Sequence, residues 1–253
     1  MIQVCSIASG SNGNCYYVGN ENDAVLVDSG IYYKTFVERC NISGIDISKI
    51  RAVFVSHEHG DHIRGVKVMS KRLFIPVFFN LKTYSHAYKS TLPAYCKFLE
   101  AEQSVKISEG FTVKAFSKQH DVADPLSFII QIQDKTVGVI TDLGVADQTV
   151  CENFGKCDVA FLESNYDTQM LLDGSYPEYL KRRVNSSSGH LSNDQAFGLI
   201  TGYASKNLTH IILSHISQEN NSEEKILEKF SPLMSKYNIS IASRYQPGEI
   251  INL

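Results

Sequence analysis

The first part of the chain alternates short apolar runs with turns. Gln3–Ala8, Cys15–Val18 and Ala24–Val27 read as strands, separated by Gly/Asn-rich segments such as Ser9-Gly10-Ser11-Asn12-Gly13-Asn14. The pattern then predicts a helix over Tyr32–Arg39, a strand over Arg51–Val55 and a helix from Asp61 or His62 towards Met69. A strand over Pro76–Phe79 and a helix over Leu81–Lys89, capped by Asn80, follow. The second half repeats the mixture, with strands over Phe111–Phe116, Leu126–Gln131, Thr136–Ile140 and Asp158–Leu162. Ser192–Ser205 is the clearest helix. Ser192-Asn193-Asp194-Gln195 has capping-box spacing, and Ala196, Leu199, Ile200 and Tyr203 form an apolar stripe. Leu208–Leu213 is an apolar strand, Asn221–Phe230 a helix, and two short strands close the chain. Two β-rich halves, each carrying helices, predict an α+β protein in which two sheets pack face to face with helices outside.

Composition narrows this picture little. The 253 residues are 43% hydrophobic and 20% charged, which suits a packed core. The net charge of −3 excludes a broad electropositive coat but leaves room for a local basic patch. No linker or repeat divides the chain, so one domain over residues 1–253 is expected. No apolar stretch approaches the roughly 20 residues of a membrane span, and the N-terminus lacks the pattern of a secretion signal. The cysteines at 5, 15, 40, 96, 151 and 157 include no Cys-x-x-Cys pair. They read as reduced structural thiols of a cytoplasmic protein.

The chemistry concentrates in His57-Glu58-His59-Gly60-Asp61-His62, directly after Ala52-Val53-Phe54-Val55. Three imidazoles and a carboxylate this close together would each need a separate partner if buried. A divalent metal answers that need, because neutral imidazole nitrogen and carboxylate oxygen are its ordinary ligands. His57 and His59, two apart, face one side of an extended segment, while Asp61 and His62 sit at a predicted helix start. Further candidates lie in loops after strands: His120, Asp142 and His215. Side chains at like ends of neighbouring strands can converge although they are distant in sequence.

Together these residues resemble the metallo-β-lactamase superfamily. His57 to His62 matches its His-x-His-x-Asp-His signature, His120, Asp142 and His215 match its later motifs in order, and Asp28 matches its early structural aspartate. The resemblance, from Cys5 to about Ser217, implies a four-layer αβ/βα sandwich with a dinuclear site at one edge of the sheets. It implies that His57, His59 and His120 hold one metal, that Asp61, His62 and His215 hold the other, and that Asp142 bridges them. Two divalent ions with two ligand carboxylates carry a formal charge of about +2, which favours an anionic substrate. No ligand is a thiolate, so Zn²⁺ or Mn²⁺ is expected, with Fe²⁺ and Co²⁺ also compatible. Glu58 is not expected to ligate; His at position 59 argues for hydrolysis rather than the redox chemistry of the flavodiiron branch.

Gly189-His190-Leu191-Ser192-Asn193-Asp194-Gln195-Ala196 and Leu208-Thr209-His210-Ile211-Ile212-Leu213-Ser214-His215 resemble tRNase Z and related phosphodiesterases. That likeness implies that His190 protonates the leaving oxygen and that Glu163 orients it; read alone, His190 could merely flank the Ser192 helix and Glu163 could be an ordinary strand-end carboxylate. With Asp61, these two make up the expected catalytic set. The Ser9–Asn14 turn and Gly-His-Leu-Ser-Asn are most similar to the WalJ/YycJ branch of small bacterial proteins regarded as nucleases. Gln218-Glu219-Asn220 stands where tRNase Z has Arg-Tyr, and Asp142 and His190 are too close for a β-CASP insertion. The expected activity is a dinuclear metal-dependent phosphodiesterase, a nuclease in which a metal-bridging hydroxide attacks phosphorus. The alternatives are a small-molecule hydrolase of the same fold, acting on a cyclic phosphate, thioester or lactone, and a non-catalytic metal-stabilised module. Lys181-Arg182-Arg183 reads as a solvated helix end or as a contact to the phosphate backbone. The Ser9–Asn14 turn reads as a hairpin connection or as a source of backbone N–H groups for a phosphate. His86 and His210 read as non-ligands.

Overall fold

The computed structural model describes residues 1–253. The first half contains β1 (Gln3–Ala8), β2 (Cys15–Gly19), β3 (Ala24–Val27), α1 (Tyr33–Ser43), β4 (Ile50–Phe54), α2 (Gly60–Ile63), α3 (Val66–Leu73), β5 (Val77–Phe79), α4 (Leu81–His86) and β6 (Cys96–Phe98). The second contains β7 (Ser104–Ser108), β8 (Phe111–Ser117), β9 (Leu126–Ile132), β10 (Lys135–Ile140), α5 (Gln148–Phe154), β11 (Val159–Glu163), α6 (Thr168–Asp173), α7 (Glu178–Val184), α8 (Asn193–Tyr203), β12 (His210–Ser214), α9 (Glu223–Phe230), β13 (Asn238–Ile241) and β14 (Ile251–Asn252).

Period-two alternation sorts the side chains into layers. In β4, Ala52 and Phe54 face the partner sheet, while Val53 and the following Val55 face α1 and α3. One sheet has the order β14-β1-β2-β3-β4-β5-β6, the other β13-β12-β11-β10-β9-β8-β7. Val4, Tyr16, Val27 and Phe54 of the first interdigitate with Val113, Phe128, Val139 and Phe161 of the second. The outer faces are covered by Phe36, Cys40 and Met69 on one side and by Phe154, Leu199, Ile226 and Phe230 on the other. The result is the expected αβ/βα arrangement of four layers. Each sheet brings parallel strands to one edge: β3–β4–β5 in the first and β10–β11–β12 in the second. β8 runs with β10, because each pairs antiparallel with β9.

Some local expectations shift. The helix expected from residue 61 to 69 is broken into α2 and α3. Gly65 N–H bonds the Ser29 carbonyl at 2.7 Å instead of a carbonyl one turn back, and the Asp61 carbonyl is taken by Asn14 N–H at 2.8 Å. Packing against the β1–β2 and β3–α1 loops thus outweighs helix propagation. α1 runs to Ser43 and ends on Gly44 in the left-handed region, whereas α4 stops at His86 rather than Lys89. The edge strands β6 and β7 and the helices α5 and α6 are additional to the expected elements. β6 is three residues long and mostly exposed, too short to show a period, whereas β7 does alternate, with Val105 and Ile107 packed against the core between the sheets. The capping box at Ser192 and Gln195 is formed.

Candidate metal centre

The site lies where parallel strands end. Ser56 and His57 follow β4, Asp28 follows β3, His120 follows β8, Asp142 follows β10, Glu163 ends β11 and His215 follows β12. Asp28, Asp142 and His215 all have φ between 55° and 61°, a left-handed conformation unusual outside glycine. Such strain is retained where surrounding contacts over-determine it, and here it turns each side chain back across the sheet edge.

The seven residues expected from the sequence converge. His57, His59 and His120 form one group whose ligand atoms lie within 4.8 Å of one another. Asp61, His62 and His215 form another, and Asp142 shares groups with His57 and His62 and with His215. His57 Nε2 and His59 Nδ1 are 3.1 Å apart. His215 Nε2 is 3.3 Å from Asp142 and 3.7 Å from Asp61, and His62 Nε2 is 3.5 Å from Asp142.

Hydrogen bonds on the far side of the His57, His62, His120 and His215 rings aim the near nitrogen inward. His62 Nδ1 donates to Asp28 Oδ2 at 2.7 Å, and Asp28 also accepts from the Ser56 backbone and hydroxyl. Since the Ser56 hydroxyl donates to Asp28, it accepts from His57 Nδ1 at 2.9 Å. His120 Nδ1 donates to the Gly189 carbonyl at 3.0 Å. What remains are buried atoms that make no well-formed hydrogen bond, although ionisable groups of opposite type lie close to them: His120 Nε2, His215 Nε2 and Asp142 Oδ2. Such atoms are costly unless a ligand completes them, and a nitrogen and carboxylate donor set fits a divalent metal.

Electrostatics divide the imidazoles. Burial pushes His57 well below the ordinary imidazole range and His120 down to about 4, so both are neutral with a lone pair free. Burial opposes charge on His215 too, but Asp142, Asp61 and Glu163 hold its pKa up at about 10, and Asp142 and Asp28 likewise raise His62. Burial raises Asp61, but His62 and His215 outweigh it and bring the carboxyl down to about 2.

Glu163 is fully buried and serves more groups than expected. Its Oε1 accepts from His190 Nδ1 at 2.7 Å and from His215 Nδ1 at 3.2 Å. Its Oε2 accepts from the Leu143 and Leu191 backbone N–H groups. His190 stacks on His215 with centroids 5.1 Å apart and lies 5.2 Å from His120. His59, Asp61 and His190 are only partly buried and form the mouth.

Glu58 accepts from Ala123 N–H and joins none of these groups. His86 is exposed on α4, and His210 lies at the start of β12 at the opposite end of that strand from His215. Lys181 and Arg183 are occupied, by Glu178 and the Leu172 carbonyl and by Asp121. Besides Ser56, which bonds His57 and Asp28, and Asn165, which donates to the His215 carbonyl, two further participants escaped sequence reasoning. Asn14 Nδ2 is 3.0 Å from His62 Nε2 and 3.3 Å from Asp61 Oδ2, and Ser9 Oγ accepts from His215 N–H at 2.7 Å. Both belong to the Ser9–Asn14 turn. A cavity of about 750 Å³ elsewhere, between the β12–β13 and β1–β14 edges, contains none of the seven.

A family model described as the beta-lactamase superfamily domain matches residues 24–216. The chain belongs to this superfamily. Exodeoxyribonuclease YycJ of Bacillus anthracis is 29% identical over 95% of this chain and 92% of its own length. Exodeoxyribonuclease WalJ of Streptococcus pneumoniae is 28% identical over 86% and 82%. Among solved structures, the metallo-beta-lactamase fold protein YhfI of Bacillus subtilis covers all of both chains with a TM-score of 0.72 at 16% identity. The likeness to superfamily members of the YycJ and WalJ kind, expected from the Ser9–Asn14 and Gly-His-Leu-Ser-Asn segments, is thus present along most of the chain. No helix is long and apolar enough to cross a membrane.

Proposed function

We propose that this chain is a dinuclear metal-dependent phosphodiesterase, a nuclease acting on DNA. The observation that carries the reading is a set of inward-facing donors without hydrogen-bond partners beside the Glu163–His190 pair. Similarity to proteins named exodeoxyribonuclease supplies the substrate class. His57, His59 and His120 would hold one ion, Asp61, His62 and His215 the other, and Asp142 both. With only nitrogen and oxygen donors, Zn²⁺ or Mn²⁺ suits the site, and Fe²⁺ is compatible. Bound ions would acidify water and stabilise charge on a phosphoryl oxygen.

The rest of the chemistry belongs to the chain. Glu163 fixes His190 Nδ1 as a donor, so the ring's other nitrogen, Nε2, is the atom that delivers a proton to the departing alkoxide. Glu163 also sets the tautomer of His215, so one carboxylate couples the acid to a ligand. Asp61 at the mouth has the exposure to meet substrate. Six free cysteines support a reducing, cytoplasmic setting.

The test is hydrolysis of 5′- and 3′-labelled single- and double-stranded DNA with added Mn²⁺ or Zn²⁺, with metal content measured in parallel. Asp142→Ala should lose activity and bound metal together. Full activity in that variant would contradict the assigned bridge, and cleavage of cyclic phosphates or thioesters but no DNA would favour the small-molecule reading.

A further inference from the structure

Three guanidinium groups stand near the cluster. Arg183 is neutralised by Asp121 at 2.5 Å. Arg64 and Arg244 face no carboxylate, although the chain has 27 acidic against 24 basic residues. Both instead meet the turn between β1 and β2. Arg64 Nη1 donates to the Asn12 carbonyl at 3.1 Å, and its guanidinium lies over the exposed Tyr32 ring at 5.8 Å. Arg244 Nη1 donates to Asn12 Oδ1 at 3.3 Å and Nη2 to the Ile216 carbonyl at 3.0 Å. Gly10 has φ of 131°, and any Cβ there would sit 3.1 Å from the Arg244 guanidinium carbon, so glycine leaves the room that Arg244 occupies.

The same turn carries free donors. The N–H groups of Gly10, Gly13 and Asn14 are committed to Asn14 Oδ1, the Gly10 carbonyl and the Asp61 carbonyl. Those of Ser11 and Asn12, both exposed, bond to nothing in the chain. Two guanidinium groups without a carboxylate partner, both reaching Asn12 and held there only by neutral carbonyl oxygens, lie on the same turn as two open N–H groups, a combination of donors and positive charge suited to a phosphate. Its location is defined by Asn14 on Asp61 and His62 and by Ser9 on His215.

We propose that Arg64, Arg244 and the Ser11 and Asn12 N–H groups form a subsite for a second phosphate of a single-stranded substrate, on the Asp61 flank of the metal centre. Tyr32 beside it offers a ring face to the adjoining base. The position of the subsite relative to the scissile bond rests on the phosphodiesterase reading; its affinity for a nucleic-acid strand does not.

Two measurements on the full chain separate these. Anisotropy of a fluorescein-labelled single-stranded oligonucleotide with EDTA-treated protein, across a salt series, reads the subsite alone. Arg64→Gln and Arg244→Gln should each weaken binding about tenfold and flatten the log-affinity against log-salt slope by about 0.7, the value for one lost single-strand phosphate contact. Arg72→Gln, an unpaired arginine on α3, should change neither. Arg244→Lys, which keeps the charge but not the fork, should bind better than Arg244→Gln and guards against a folding defect. With metal, kcat/KM for bis(p-nitrophenyl) phosphate, which has a single phosphate, should change less than about twofold in every variant. Unchanged oligonucleotide affinity in both Gln variants would overturn the proposal, as would equal losses on the two substrates, the mark of a mere loop brace. If the wild-type chain hydrolyses neither substrate, the phosphodiesterase reading fails while the anisotropy still decides the subsite.

Discussion

Replacing His190 by alanine separates an acid from a ligand. His190 Nδ1–H is committed to Glu163 at 2.7 Å, and the ring stacks on His215 at the mouth, with its side chain 20% exposed. Partial exposure keeps the folding cost of truncation near 1 kcal/mol. The catalytic cost depends on the leaving group. A sugar alkoxide is a strong base and needs a proton as the P–O bond breaks; p-nitrophenolate leaves without one. General-acid catalysis contributes about 10²- to 10⁴-fold, or roughly 3–5 kcal/mol of barrier. His190→Ala should therefore lower kcat on an oligonucleotide by that factor, while kcat on bis(p-nitrophenyl) phosphate falls by less than about tenfold. Steady-state kinetics on both substrates, with metal content measured by mass spectrometry on each preparation, is the assay. Equal losses on both substrates would refute the acid role, and loss of bound metal would reassign His190, whose ring neighbours Asp142 and His215 as candidate donors.

Other outcomes follow from the same geometry. Each Glu163 oxygen accepts from two N–H groups, so Glu163→Gln turns an NH₂ towards either the backbone pair or the imidazole pair; it should cost about 1–3 kcal/mol of stability and lower kcat, and an unchanged thermal midpoint would count against the network. In the metal-free chain His62 is held protonated at neutral pH and His215 is held up at about 10. Their contribution to apo stability is present below the ordinary imidazole range and lost as pH rises through these raised values. Metal uptake near pH 7 should therefore release about two protons, seen by calorimetry in buffers of different ionisation enthalpy, and affinity should rise with pH; proton-free uptake would refute this. A Cβ on Gly30 would fall 1.6 Å from the Asp61 carbonyl oxygen. Gly30→Ala should cost more than about 3 kcal/mol or shift Asp61 and its metal; a variant with normal melting and normal metal content would show that the loop yields freely.

The sequence by itself determined the parts of this protein that depend on neighbours along the chain. His57 to His62 behind a buried strand, the Ser192 capping box and the apolar alternation of the inner strands are all local patterns, and the fold keeps them. The series His120, Asp142 and His215 was also legible, because each follows a strand whose end must lie at a sheet edge. Only the tertiary structure decided which loops lean on that edge. Ser9 meets His215, Asn14 meets Asp61 and His62, and Arg244 closes against Gly10 and Ile216. These pairs are far apart in sequence and carry no period or spacing that announces them. Loop contacts of the same kind, Gly65 N–H to the Ser29 carbonyl and Asn14 N–H to the Asp61 carbonyl, divide α2 from α3, since a backbone group satisfied by a neighbouring loop no longer needs the helix to satisfy it.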